Sequence, residues 1–192
     1  MKTSLHTLCL FPLLFMLASL TGGSVAATLP LTELAKPGRV LILRHAEAPG
    51  VGDPPGFRLD DCATQRNLDE SGRRQAQALG TRLANAGVTT AQVYSSQWCR
   101  CLETARLLKL GPVNRLPALN SFFEHPQEGD AKIAALRAFL ASLPVDGPPV
   151  VLVTHQVTIN AFTSSSTPTG GGSFFQLDGT GNPRWLGILP AN

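Results

Sequence analysis

The chain is poor in lysine. After Lys2 only Lys36, Lys109 and Lys132 remain, against twelve arginines spread along the sequence. Without Lys2 the basic count falls from 16 to 15 against 13 acidic residues, a balance of about +2 with no run of like charge. So even a surface speaks against a nucleic-acid partner. Long apolar runs are scarce too. The one at the N-terminus, Leu8 to Leu20, is interrupted by Pro12 and too short for a good membrane span. It follows an early lysine and leads into small residues ending at Ala27, the pattern of a secretory signal peptide over residues 1–27. Cleavage there leaves residues 28–192 as a single domain, large enough for its own core, in the periplasm or outside the cell. The alternative is an uncleaved N-terminal anchor.

Cysteine is also sparse. Cys9 departs with the leader, and Cys62, Cys99 and Cys101 remain. Three thiols cannot all pair internally. On a helix Cys99 and Cys101 would point about 200° apart, which argues against a shared zinc ion. One bridge from Cys62 to either of them suits an oxidising compartment and would tie the loop after His45 to the segment carrying Arg100.

Three short apolar runs, at 39–43, 91–95 and 150–154, have the character of strands buried on both faces of a parallel sheet. Helical patterns separate them. One is capped by Asp69, carries Ala76, Leu79 and Leu83, and stops at Gly87. A second spans about 98–109. A third starts at Asp130 and sets Ile133, Leu136, Phe139, Leu140 and Leu143 on one face. Residues 163–172, TSSSTPTGGG, read as a flexible loop, and SFFQLD with RWLGIL as a closing hairpin. The expected architecture is a three-layer α/β/α sandwich around a mostly parallel sheet, with a C-terminal hairpin.

Two of the three histidines beyond the leader directly follow apolar strands: His45 after VLILR and His155 after VVLVT. Parallel strands open on one edge of a sheet, so the two imidazoles converge, with Arg44 beside the first and Arg100 arriving after the strand at 91–95. Guanidiniums gathered at a core edge require an anion. Two arginine forks and a histidine donor match the oxygens of a phosphoryl group. The other histidine is then free to act as nucleophile.

The motifs LRHAE, NLDESGRRQA, SSQWCRCLETA and VTHQ, in that order, resemble those of the histidine phosphatase superfamily, also called the phosphoglycerate mutase-like fold. The resemblance implies that His45 accepts the phosphoryl group while Arg44, Arg100 and His155 surround it, with neither metal nor other cofactor. It leaves the proton donor open. Where many members carry glutamate, this chain has Asn120 and Ser121. Glu124 is the first candidate, followed by Glu47, Asp53 and His125, or by no dedicated acid at all. Ala46 and Gln156 stand where many members have glycine. Arg66 is read either as a phosphate contact or as a solvated side chain. Arg73, Arg74 and Arg82 fall on a solvated helix face, and Trp98, Phe122 and Phe123 belong to the core or the pocket rim. The expected activity is hydrolysis of an envelope or periplasmic phosphomonoester, from a phosphorylated small molecule or glycan. The alternatives are a non-catalytic phosphate-binding module or a phosphotransferase or mutase. The short chain leaves little room for the lid that a mutase needs.

Overall fold

The computed structural model describes residues 26–191. The expected leader lies outside the described residues except for its last two positions, and His6 and Cys9 lie outside them with it. Ala27 to Leu29 run beside the last strand: the Ile188 N–H donates to the Ala27 carbonyl at 2.8 Å, and the Leu29 N–H to the Ile188 carbonyl at 3.0 Å.

Six strands, β1 (Arg39–Arg44), β2 (Gln92–Ser95), β3 (Val113–Arg115), β4 (Val150–Thr154), β5 (Gly172–Gln176) and β6 (Arg184–Leu189), form one sheet in the order β3-β2-β4-β1-β5-β6. The first four strands in that order are parallel, and β5 and β6 add an antiparallel hairpin at the β1 side. Because side chains alternate along a strand, β1 feeds both layers. Leu41 and Leu43 pack with Leu79 and Leu83 of α1 (Glu70–Asn85) and Cys101 and Ala105 of α2 (Cys99–Leu107). Val40 and Ile42 pack with Leu136 and Leu140 of α3 (Gly129–Ser142) and Ile159 of α4 (Gln156–Thr163). The three-layer sandwich is therefore as the sequence predicts. No helix among the described residues is long and apolar enough to cross a membrane.

Two elements escape the sequence reading. β3 is a three-residue edge strand with no apolar alternation, and α4 starts directly after His155 without a side-chain cap. The stretch expected to be a flexible loop also differs. Its first residue closes α4, and the rest is tied down: the Arg44 guanidinium donates to the Thr167 carbonyl at 2.8 Å, and the Gly170 N–H to the His45 carbonyl at 3.1 Å.

Candidate active site

Strand register sets the centre of the site. Arg44 of β1 lies beside Thr154 of β4, so the next residues, His45 and His155, leave the sheet side by side with ring centroids 5.5 Å apart. Ser95 of β2 pairs with Val153, which brings Ser96 to the same edge. The expected convergence of His45, His155, Arg44 and Arg100 is what the fold produces. All four line one cavity of about 380 Å³ at the carboxyl ends of the parallel strands.

The two imidazoles are held differently. His45 is 2% exposed, and its Nδ1 lies 2.8 Å from the Ala46 carbonyl oxygen. A carbonyl only accepts, so Nδ1 carries the proton and the lone pair resides on Nε2, which has no hydrogen-bond partner among the described residues. His155 is engaged at the opposite nitrogen: Nε2 sits 2.9 Å from Ser96 Oγ and 3.4 Å from the Cys101 thiol. The Ser96 proton turned towards the nearer Nε2, rather than towards Asn120 Oδ1 at 3.3 Å, leaves Nδ1–H of His155 as a donor. Burial, opposed by the Ala46 carbonyl but reinforced by Arg100, Arg44 and Arg66, lowers the His45 pKa from 6.5 to about 3. Burial and then Arg100 push His155 well below the ordinary histidine value. Both rings are therefore neutral near pH 7. Burial likewise raises the Cys101 thiol to about 12, so it stays protonated.

Three guanidiniums face these rings. Arg44 donates to the Thr167 carbonyl, and Arg100 is 3% exposed. Arg66 hydrogen-bonds the carbonyls of Ala48 and Gly52 and lines the same cavity, so it belongs to the cation cluster rather than to the open surface. Burial lowers the pKa of Arg44 and Arg66, the cost of crowding cations away from water. One carboxylate offsets them. Asp53, whose side chain is 4% exposed, accepts from Arg100 at 2.9 Å, from the Arg66 N–H at 2.9 Å and from Trp98 Nε1 at 3.0 Å. Burial works against its charge, and these donors more than compensate, so its pKa is lowered. That fate sets Asp53 apart from the other proton-donor candidates: it is a counter-ion, held ionised. With neutral histidines, three arginines against Asp53 leave about two positive charges around the floor. The Nε donors of Arg44 and Arg100 are buried without an acceptor, so the cluster is also short of hydrogen-bond acceptors. A phosphoryl dianion supplies both charge and acceptors.

The motif residues outside the cavity brace the loop after His45. Thr104 Oγ accepts the Ala46 N–H at 3.0 Å and donates to the Arg100 carbonyl at 2.7 Å. Gln75 accepts the Glu47 N–H and donates to the Thr169 carbonyl, both at 3.0 Å. Gly72 lets the first turn of α1 close on Glu47, because a Cβ there would sit 2.0 Å from the Glu47 carbonyl oxygen. Asp69 caps that helix through the Gly72 N–H at 2.7 Å, as its sequence position predicts.

The loop itself is closed by a disulfide between Cys62 and Cys99, leaving Cys101 free and buried. Cys99 immediately precedes Arg100, so the bridge and the Asp53–Arg100 pair join the same two segments. Asn120 occupies the place of the missing glutamate as a brace: Oδ1 accepts the Gln97 N–H at 2.9 Å and Nδ2 donates to Gln97 Oε1 at 2.8 Å. Glu124 and His125 are exposed on the cavity rim, with Glu124 Oε1 accepting the Asp53 N–H at 3.2 Å. Glu47 instead accepts from Thr169 Oγ at 2.6 Å and does not line the cavity. Trp98 and Phe123 both line the cavity, Trp98 buried and Phe123 exposed, whereas Phe122 packs against Gly129. Sequence reasoning left Asp53 among several possible acids and Arg66 undecided, because neither lies on a periodic element.

Among curated proteins, no sequence matches. Solved structures do. The protein histidine phosphatase SixA, in complex with tungstate, is 19% identical and superposes with a TM-score of 0.57 over 79% of this chain and 96% of that one. A mycobacterial glucosyl-3-phosphoglycerate phosphatase is 20% identical, with a TM-score of 0.57 over 82% and 100%. A Mycobacterium tuberculosis protein is 16% identical, with a TM-score of 0.59 over 80% and 97%. At these identities the structures establish a shared fold. The sequence model of the histidine phosphatase superfamily, branch 1, matches residues 40–129, which span Arg44, His45, Arg66 and Arg100. By this match residues 40–129 fall within the histidine phosphatase superfamily, and the fold around them is the one shared with these structures.

Proposed function

We propose that the protein hydrolyses phosphomonoesters through a covalent phosphohistidine on His45. The observation that carries this reading is the tautomer of His45. Its Nδ1–H is fixed on the Ala46 carbonyl and its free Nε2 opens on a cavity carrying Arg44, Arg66, Arg100 and His155. The three guanidiniums and His155 Nδ1–H hold the phosphoryl oxygens and spread the charge that builds during transfer. Nε2 bonds to phosphorus as the ester P–O bond breaks, and the departing oxygen takes a proton from Glu124, which lines the cavity outside the ion pairs that hold Asp53 and Glu128. Water then attacks phosphorus, the P–N bond breaks, and inorganic phosphate leaves with His45 neutral again. Glu124 also regains its proton by taking one from that water. No step in this sequence calls for a metal or other cofactor.

Export to the periplasm, or secretion, and an envelope phosphoester as substrate form part of the same proposal. A leader-like N-terminus and the Cys62–Cys99 disulfide support them, since such bridges persist in oxidising compartments. The test is mass spectrometry of protein mixed with p-nitrophenyl phosphate and rapidly quenched without acid. A phosphoryl adduct on His45, absent in His45→Ala, is the expected result. Nitrophenol release without any adduct in either protein would reject the covalent route.

A further inference from the structure

The cavity continues outward from the phosphate floor, and its walls differ from what a sugar would need. Val51, Phe57, Leu59, Trp98, Phe123 and Val157 line it. Val51 is 87% and Phe123 58% exposed, and with Val145 they are the large exposed hydrophobic residues among the described part of the chain. Two of these three therefore stand at one entrance. Phe57 and Trp98 continue the apolar surface inward, with ring centroids 5.7 Å apart, and Trp98 reaches His155 at 5.2 Å.

The polar side chains on the same wall are largely engaged elsewhere. Both ends of the Asn120 amide bond to Gln97. Gln156 accepts the Thr167 N–H at 2.8 Å and donates to the Ser165 carbonyl at 3.3 Å. Ser121 Oγ accepts the Phe123 N–H at 3.2 Å, and Lys132 is paired with Glu128 at 3.2 Å. Glu124 and His125 stand exposed at the rim, but the wall from Trp98 through Phe57 and Leu59 to Val51, along which the ester group would lie, presents carbon rather than the free amides and carboxylates that sugar hydroxyls need.

Resting on the phosphatase reading for where phosphate sits, we propose that the site takes phosphomonoesters whose ester group is apolar, an alkyl or aryl chain lying along Trp98 and Phe57 and leaving between Val51 and Phe123. The charged end is held by the arginine floor and the apolar end by this wall, so affinity rises with each methylene removed from water.

Calorimetric titration of His45→Ala separates binding from turnover. Methyl, butyl and hexyl phosphate should bind progressively tighter, by roughly two- to fourfold per methylene, with glucose 6-phosphate weaker than hexyl phosphate. In His45→Ala carrying Val51→Ser and Phe123→Ser, both at exposed positions, the dependence on chain length should flatten. Affinity independent of chain length, or glucose 6-phosphate binding tighter than hexyl phosphate, would overturn the proposal. A chain-length dependence in binding with no hydrolysis by the wild type would reject the enzyme and keep the apolar site. Hydrolysis with equal kcat/KM for all three alkyl esters would do the reverse. No binding of any of these phosphates would sink both. Release of phosphate from phosphatidic acid in phosphatidylcholine vesicles would assign the chain to a membrane lipid, and failure there with the chain-length dependence intact would assign it to a soluble ester.

Discussion

The floor and the rim of the cavity are built on different principles. The floor consists of strand ends: Arg44, His45 and His155 are positioned by β1–β4 register, and their backbone is held in the sheet or by its neighbours. The rim consists of the loop over residues 46–66 and the segment around residues 120–128, whose fixed points are a disulfide, the buried Asp53–Arg100 pair and side-chain bonds such as that from the Asp53 N–H to Glu124. Chemistry that depends on sub-ångström placement sits on the rigid part, and choice of ester sits on the part that loops can vary. Two of the rim's supports, Cys99 and Asp53, also touch the segment that carries Arg100. The rim therefore helps to set the geometry of the floor.

The sharpest test of this division is at the floor. His45→Ala should lower kcat by roughly 10⁴-fold or more, because no other group among the described residues offers a fixed nucleophilic lone pair there. Steady-state release of nitrophenol measures it, and a drop of less than tenfold would move the chemistry elsewhere. The rim comes next, and its effects should appear mainly as stability. Closing a loop across the 37 positions between Cys62 and Cys99 restricts the unfolded chain by about 4 kcal/mol on the loop-entropy relation. Replacing both cysteines by serine should therefore lower the denaturant midpoint strongly, and an unchanged midpoint would show that the remaining bonds hold the loop alone.

Asp53→Asn joins the two regions. Losing the charge partner of the buried Arg100 should cost about 3 kcal/mol of stability. It should also tighten phosphate binding, since one more uncompensated positive charge then faces the anion. Weaker phosphate binding in that variant would mean that Asp53 positions Arg100 more than it competes for it. Glu124→Gln addresses the rim's share of the chemistry. Hydrolysis of an alkyl phosphate, whose leaving oxygen needs a proton, should fall about 10²-fold, while p-nitrophenyl phosphate should change little. Equal losses on both esters would remove Glu124 from that role.

The smallest effect concerns pH. The folded-state pKa of His45 is about 3 against 6.5 in the unfolded chain, so the unfolded state binds the extra proton between those values. Stability from this group is complete above pH 6.5 and falls as pH drops towards 3, by about 1.4 kcal/mol per unit. Urea titrations of wild type and His45→Asn at pH 7 and pH 5 should show the variant losing less. In the same range His45 remains a neutral nucleophile, so kcat/KM should show no acid limb near pH 6.5 that disappears only when His45 is replaced.

Much of the floor was readable from the chain alone. Runs of Val, Leu and Ile too short for helices mark β1 and β4. A histidine directly after each, on parallel neighbours, can only emerge at one edge. Leu79, Leu83 and the spacing of α3 were legible because burial on one face leaves a period in the sequence, and Asp69 because a short side-chain acceptor just before that period caps a helix. β3 and α4 left no such trace: the strand is three residues long and the helix begins on the site histidine itself.

The sequence by itself determined which groups meet at the strand ends, because side-chain alternation and strand order are local rules that hydrophobic patterning obeys. The tertiary structure decided that Cys99 rather than Cys101 closes the bridge, since Cys101 faces the core beside Thr154 and His155 while Cys99 faces the loop. It decided as well that Asp53 neutralises Arg100 across 47 positions, that Arg66 joins the cation cluster, and that Asn120 braces the wall where many relatives carry glutamate. Those contacts connect aperiodic loops, whose paths follow from packing and hydrogen bonding in the folded molecule rather than from any repeat in the chain.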